Sequence, residues 1–143
     1  MSNYIKLEPT GRYGHDELSE LTKPGKYSLP VKITFTEFDR FYNNDPSMDE
    51  DDKWEFFEGE FADEKHFVDC DVLKVDNTGR YQTAIVHRED TGEYCVLGYN
   101  GAENRFKNRT ELVDDYGAYE YFAEDAESEI AQEMADLWEK VSS

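Results

Sequence analysis

The chain has few cysteines and no long hydrophobic run, and both features bear on where it works. Its two cysteines, Cys70 and Cys95, form no CxxC pair and have no zinc-like spacing. No stretch approaches the roughly 18 consecutive apolar residues of a membrane span, and the start, Met1 to Lys6, lacks the apolar run of a secretory signal. We therefore expect a cytoplasmic protein, in the host cytoplasm if its source is a virus, with reduced cysteines and no membrane association.

The sequence also lacks the short motifs that identify common enzymes. It has no glycine-rich phosphate loop after a strand, no GxSxG, no HExxH and no Cys/His nucleophile arrangement. Asp69 and Asp71 share one face of a predicted strand, as a two-carboxylate site requires, and His66 and His87 approach diagonally in the predicted hairpin. Pairs of this kind arise often by chance in a chain with 34 acids. We predict a non-enzymatic protein without cofactor or metal, and keep an enzyme that uses Asp69 or Asp71 as a minor alternative.

Basic residues are scarce, since 15 lysines and arginines face 34 acids for a formal charge of −19. Nucleic-acid phosphates demand clustered bases, so direct nucleic-acid binding is disfavoured. The acids gather in two segments: Asp49 to Lys65 has nine acids and two bases, and Asp114 to Ser143 has ten acids and one base. Such clustering costs stability through self-repulsion but attracts a positively charged partner. The alternatives are a solvated face that only confers solubility, and a loose divalent-ion site in the first segment.

Composition and length indicate one α+β domain spanning residues 1–143. Hydrophobic residues make up 38% of the chain and aromatics 15%, which is enough for a core despite the charge. Prolines and glycines punctuate residues 1–30, so we expect this segment to be irregular. Residues 39–53 form a predicted acidic loop, because four consecutive acids cannot be packed. We predict a largely antiparallel sheet of four or five strands within residues 31–99, packed against a long C-terminal helix.

Alternating apolar and polar residues predict the strands. Val31 to Phe38 is the first, and three more follow as a meander at His66 to Val75, Arg80 to Arg88 and Glu93 to Tyr99, separated by tight turns that end in glycine. With Val75 facing Arg80 and Arg88 facing Glu93, the expected core face carries Val68, Cys70, Val72, Tyr81, Ile85, Tyr94 and Val96. Cys95 would then point to the opposite face from Cys70, which excludes a disulfide between them.

Two further segments combine acids with aromatic residues. Trp54 to Phe61 alternates aromatics with glutamates, as in an edge strand or a contact surface with anchoring rings. Residues 117–141 have apolar residues at spacings of three and four, which predicts an amphipathic acidic helix about 36 Å long. Its stripe contains Tyr119, Phe122, Ala126, Ile130, Met134, Leu137 and Val141. Tyr121 and Trp138 fall outside the stripe, so we expect them to be exposed.

The clustered acids and the nearby tryptophans are the candidate partner-binding residues. The first group is Asp49, Glu50, Asp51, Asp52, Trp54, Glu55, Glu58 and Glu60, and the second is Glu120, Glu124, Asp125, Glu127, Glu129, Asp136 and Trp138. In composition the chain resembles the DNA-mimicking inhibitors that phages use against restriction or CRISPR nucleases, and the acidic immunity proteins that neutralise nuclease toxins. The resemblance implies an inhibitor of a basic nucleic-acid-binding protein or nuclease. The alternative is a protein-protein interaction module that uses the sheet face and the Trp54 to Phe61 segment.

Overall fold

Six strands form a single sheet whose order follows the chain. The structure, a computed structural model, describes residues 3–8, 21–33, 35–39, 43, 47–61, 66–77, 82–100, 103–112, 121–122 and 128–142. The strands are β1 (Ile5–Lys6), β2 (Gly25–Val31), β3 (His66–Asp76), β4 (Thr83–Arg88), β5 (Tyr94–Asn100) and β6 (Glu103–Lys107). β1 runs parallel to β2 and every other neighbouring pair is antiparallel. The predicted α+β class is confirmed, with six strands rather than four or five.

The helices are short. Those with described bounds are α1 (Phe35–Glu37), α2 (Glu50–Phe56), which continues as a π-helix over Phe57–Phe61, α3 (Arg109–Glu111) and α4 (Ser128–Ser142). α4 has 15 residues and is therefore about 22 Å long, so the predicted 36 Å helix is not found within the described residues. Much of the predicted span of 117–141 lies outside them. None of the helices in the described part of the chain has the length and apolar character needed to span a lipid bilayer.

Two predicted strands are wrong. The first strand ends rather than begins at Val31, and Phe35 already belongs to α1. β2 accommodates Pro30 because β1 pairs only with Tyr27 and Ser28, which leaves Pro30 at an edge-like position. The Trp54 segment is helical, and the last part of the predicted acidic loop is the first turn of α2.

The three-stranded meander is confirmed, but only one of its two registers is. The backbone N–H of Arg88 donates to the carbonyl of Glu93 at 2.9 Å, as predicted. In the other hairpin Val75 pairs with Ala84 instead of Arg80, and a bulge lies between Val72 and Lys74. The connection is longer than a tight turn because the side-chain amides of Asn77 and Gln82 donate to the distant Leu21 carbonyl, at 3.2 and 2.8 Å.

The changed register redistributes the core between the two faces of the sheet. The first core contains Val68, Cys70 and Val72 together with Ala84, Val86, Cys95 and Leu97. The second contains Ile85 and Val96 with Leu112, Phe122, Ala131, Met134 and Trp138. The predicted single core face, which combined Val72 with Ile85, Tyr94 and Val96, is therefore wrong, and Tyr81 lies outside the described residues. Cys70 and Cys95 share a face, in strands separated by β4, and both are buried free thiols.

The two main helices lie on opposite faces of the sheet. Phe57, just after α2, packs in the first core with Val72 and Val86, whereas Met134 of α4 packs in the second core with Ile85. Neighbouring residues of a strand point to opposite faces, so Ile85 and Val86 place the two cores on either side of β4. The sheet consequently separates the acids of α2 from the described acids of α4.

The burial of Trp138 corrects the predicted stripe of the last helix. Trp138 is 1% exposed and belongs to the second core with Ala131 and Met134, at spacings of three and four. The stripe is thus rotated toward Trp138, while Ile130, Leu137 and Val141 pack at its margins. Tyr121 is half-buried against the same core, and a Cβ on Gly98 would collide with its hydroxyl group.

Candidate protein-binding surface

The acidic residues of α2 surround two exposed aromatic side chains. We call this set the acidic helix surface: Asp49, Glu50, Asp51, Asp52, Trp54, Glu55, Phe56 and Glu58, all of which are exposed. Trp54 is 41% exposed and Phe56 39%, among the most exposed large hydrophobic residues that the structure describes. Along the helix, Asp51 precedes Trp54 by three residues and Glu58 follows it by four, so both carboxylates neighbour the indole.

The two exposed rings pack against other aromatic rings on their inner side. Trp54 stacks on Phe35 with ring centroids 3.8 Å apart and planes within 8°, and it meets Phe57 edge-on. Phe56 stacks on Phe38 at 5.8 Å. Aromatic pairs of this kind contribute beyond their buried area. Because these rings are already packed in the free protein, they lose little conformational entropy when a partner binds them.

A buried arginine fixes the turn that supports these rings. Arg88, 2% exposed, donates to Glu37 of α1 at 2.7 Å and forms a two-point contact with Asp90 at 3.0 and 2.8 Å. Its guanidinium also lies 4.4 Å from the ring centroid of Phe106. Burial by itself lowers the pKa of Arg88, but the hydrogen bonds with Asp90 and Glu37 outweigh it and the pKa is raised. The charge is therefore permanent, and it links α1 to the end of β4.

Part of the acidic cluster serves the helix itself. The side chain of Asp49 caps α2 by accepting the backbone N–H of Asp52 at 2.8 Å. Glu50, Asp51 and Asp52 occupy the first turn, where the helix dipole favours negative charge. Glu55 and Glu58 lie beyond that turn, and none of the ion pairs between described residues involves either one. Local structure thus accounts for the acids at the helix start but not for these two glutamates.

The described acids of the second predicted patch do not join the acidic helix surface. Glu129 and Asp136 are exposed on α4, behind the sheet from α2. Trp138, predicted as an anchor beside them, is buried and therefore does not belong to a binding surface. Four other predicted residues of this patch, Glu120, Glu124, Asp125 and Glu127, lie outside the described residues, as does the side chain of Glu60. A single flat partner site can contact one of the two acidic faces at a time.

A separate polar cluster lies on the sheet face that also carries α4. Asp71 pairs directly with His87 across β3 and β4, and Glu89 follows two residues later on the same face. One ligand atom from each of these three residues lies within 4.8 Å of the others. The predicted diagonal contact between His66 and His87 is wrong, because His66 pairs with Val31 and His87 with Asp71. Asp69 and Asp71 lie two residues apart in β3 and share a face, as predicted, but the group whose ligand atoms converge is Asp71, His87 and Glu89, without Asp69.

Neither cysteine is a candidate nucleophile. Burial raises the pKa of the Cys95 thiol to about 12 and raises that of Cys70 as well, with Arg88 opposing the shift in both cases. A thiol of this kind is not ionised near neutral pH and reacts poorly. The described residues thus contain two candidate sites, the acidic helix surface and the cluster around His87, on opposite faces of the sheet. Comparison of the chain with protein-family models, curated proteins and solved structures finds no match.

Proposed function

We propose that the chain is a non-enzymatic inhibitor that uses the acidic helix surface to occupy the basic nucleic-acid-binding site of a partner protein. The observation that supports it is the proximity along α2 and the turn after it of exposed Trp54 and Phe56 to Glu55 and Glu58, which form no ion pair with any residue that the structure describes. Rigid aromatic rings beside carboxylates are the side chains that bind arginine-rich surfaces, because arginine both pairs with carboxylates and stacks on rings. The carboxylates would replace nucleic-acid phosphates in the partner's site.

The size of the surface sets the scale of this mimicry. α2 has seven residues and is about 10 Å long at 1.5 Å per residue. The phosphates of one DNA strand follow one another by about 3.4 Å of rise along the helix axis. α2 therefore matches the axial rise of about three phosphates of one strand, and the acids of α4, which face the other way, are not needed for contact with the same site.

The experiment is capture of a partner from a bacterial lysate, elution with a salt gradient, and competition with DNA or RNA. We expect a basic, nucleic-acid-handling protein in the late fractions, because attraction between charged surfaces weakens as salt screens it. The double variant Glu55→Gln with Glu58→Gln should weaken binding, whereas Glu129→Gln with Asp136→Asn, of equal charge change on α4, should not. Binding that ignores ionic strength and tolerates nucleic acid at the same time would contradict the proposal.

A second candidate function is an interaction module in which the rings rather than the charges carry the affinity. The exposure of Trp54 and Phe56 favours it, since buried aromatic anchors dominate many protein interfaces. The two functions respond differently to substitution. Trp54→Ala should abolish binding in the module while Asp51→Asn has little effect; the inhibitor should be sensitive to both. Binding retained after Trp54→Ala eliminates the module.

A further inference from the structure

The cluster of Asp71, His87 and Glu89 has the donor set of a metal site. One imidazole nitrogen and two carboxylate oxygens lie within 4.8 Å of one another, and His87 Nδ1 is 3.8 Å from Glu89 Oε1. Tetrahedral ligands at about 2.0–2.2 Å from a zinc ion stand roughly 3.3–3.6 Å apart. The His87 and Glu89 atoms are near that separation, and side-chain rotations that draw the three atoms together by up to roughly 1.5 Å bring all of them onto one ion.

The sheet fixes the positions of these side chains. Asp71 and His87 are directly opposed in the β3–β4 ladder, and Glu89, just after β4, is held to β3 by its backbone N–H, which donates to the Asp69 carbonyl at 2.9 Å. The His87 ring packs against Tyr94 with centroids 4.7 Å apart. Such neighbours orient metal ligands in proteins and strengthen the site.

One oxygen of the cluster is shielded from solvent beside a cation. Asp71 Oδ1 is buried and forms an ion pair with Lys26 Nζ at 3.2 Å. Lys26 is 56% exposed, and its ammonium group also lies 5.2 Å from the ring centroid of Tyr4. The ammonium group can therefore move away from Asp71 into solvent. Its position beside Asp71 Oδ1 shows that this part of the cluster attracts a cation.

We propose that Asp71, His87 and Glu89 bind one divalent transition-metal ion, with Zn²⁺ the best match. Imidazole nitrogen favours zinc and its neighbours in the first transition row, whereas Mg²⁺ and Ca²⁺ take oxygen ligands. Three protein ligands leave a fourth position of a tetrahedral ion open to water. The ion would displace Lys26 from Asp71. The site faces away from α2 and is independent of the proposed inhibitor function.

Calorimetric titration with zinc chloride tests the proposal at an ionic strength of about 0.15 M, where loose attraction to an acidic surface is screened. We expect one ion per chain that an excess of Ca²⁺ does not displace. His87→Gln and Glu89→Gln should each lower the affinity at least about tenfold, the smallest loss expected when a residue that supports a metal is removed. Glu129→Gln, which makes the same charge change as Glu89→Gln but on α4, should leave the zinc affinity unchanged. Lys26→Gln should raise the zinc affinity.

Any one of three outcomes overturns the proposal. His87→Gln binds zinc as tightly as the unaltered chain, Glu129→Gln binds zinc as weakly as Glu89→Gln, or Lys26→Gln shows no gain in zinc affinity. A second measurement does not depend on the variants folding. Zinc added to the unaltered protein should shift the NMR resonances of one imidazole out of three, and a chain in which all three or none respond does not have this site. Partner binding by α2 should be the same for His87→Gln as for the unaltered chain.

Discussion

Arg88 and Glu37 form a buried ion pair of 2.7 Å that joins the end of β4 to the α1 turn, 51 residues away in the sequence. The same turn presents Phe35 to Trp54 and Phe38 to Phe56. The pair thus links the sheet to the base of the acidic helix surface. Its loss should affect both stability and the environment of Trp54.

Arg88→Met should lower the free energy of unfolding by about 3 kcal/mol, because it leaves Glu37 and Asp90 without their common partner. Urea unfolding measures this loss, and Trp54 should become more mobile, with a weaker near-ultraviolet circular dichroism signal. Lys53→Met is the control, since its ion pair with Asp39 at 3.0 Å is more exposed and should be worth less than about 1 kcal/mol. Equal losses for the two variants would contradict the structural role of Arg88.

Asp49→Ala should destabilise the protein by about 1 kcal/mol, because it removes the side-chain oxygen that caps α2. Asp49→Asn keeps a capping oxygen while removing the charge, so it should cost much less. Thermal unfolding of the two variants separates the cap from the charge. An equal loss for Asn and Ala would show that charge, not the hydrogen bond to Asp52, is what matters at this position.

Gly98→Ala should be strongly destabilising, because its Cβ would collide with the hydroxyl of Tyr121 and force that ring out of its packing. We expect a loss of about 1–3 kcal/mol. Gly59→Ala is the matched control: nothing lies within 4 Å of the added Cβ, and the position is helical. It should be neutral or stabilising, by up to about 1 kcal/mol. Chemical denaturation compares them, and the variant Gly98→Ala with Tyr121→Phe should recover part of the loss.

Alkaline pH should destabilise the fold through the buried thiols. Burial raises the pKa of Cys95 from 9.0 to about 12, so below pH 9 the thiol is protonated in both the folded and unfolded chain. Between these values only the unfolded chain ionises, and each thiol should lower stability by up to about 1.4 kcal/mol per pH unit. The double variant Cys70→Ala with Cys95→Ala should show a shallower pH dependence in urea unfolding from pH 9 upward. Parallel profiles for the two proteins would contradict this prediction.

Local sequence patterns predicted those elements whose contacts are local. The second hairpin was predicted with the correct register because its turn needs only Gly92, which adopts φ +73°. The first hairpin was not, because its register depends on hydrogen bonds from Asn77 and Gln82 to Leu21, more than 50 residues away. The pairing of Asp71 with His87 follows from that register, so the metal-like cluster was beyond the reach of local patterns.

α2 was predictable in principle. Its signal is an aspartate cap followed by a turn of acids, which is typical of a helix start. The alternation of rings and glutamates from Trp54 onward instead suggested a strand. Trp54 and Phe57 stand three residues apart and meet Phe35 together, a helical spacing that the alternation concealed. The exposure of Asp49 to Asp52 follows from their charge whatever element they belong to, whereas their role in binding stays a prediction.

The whole segment from residue 32 to residue 65 connects two strands that are direct neighbours, since Val31 pairs with His66. The chain leaves the sheet and returns to it at the same point, with α1 and α2 in between, and Phe38 and Phe57 tether this excursion to the first core. The exposed helix α2 can therefore be exchanged with less effect on the sheet than the residues that hold this segment to it. An engineer could graft a different contact helix in place of α2 while keeping Ile33, Glu37, Phe38 and Phe57, which are buried or bonded to the sheet.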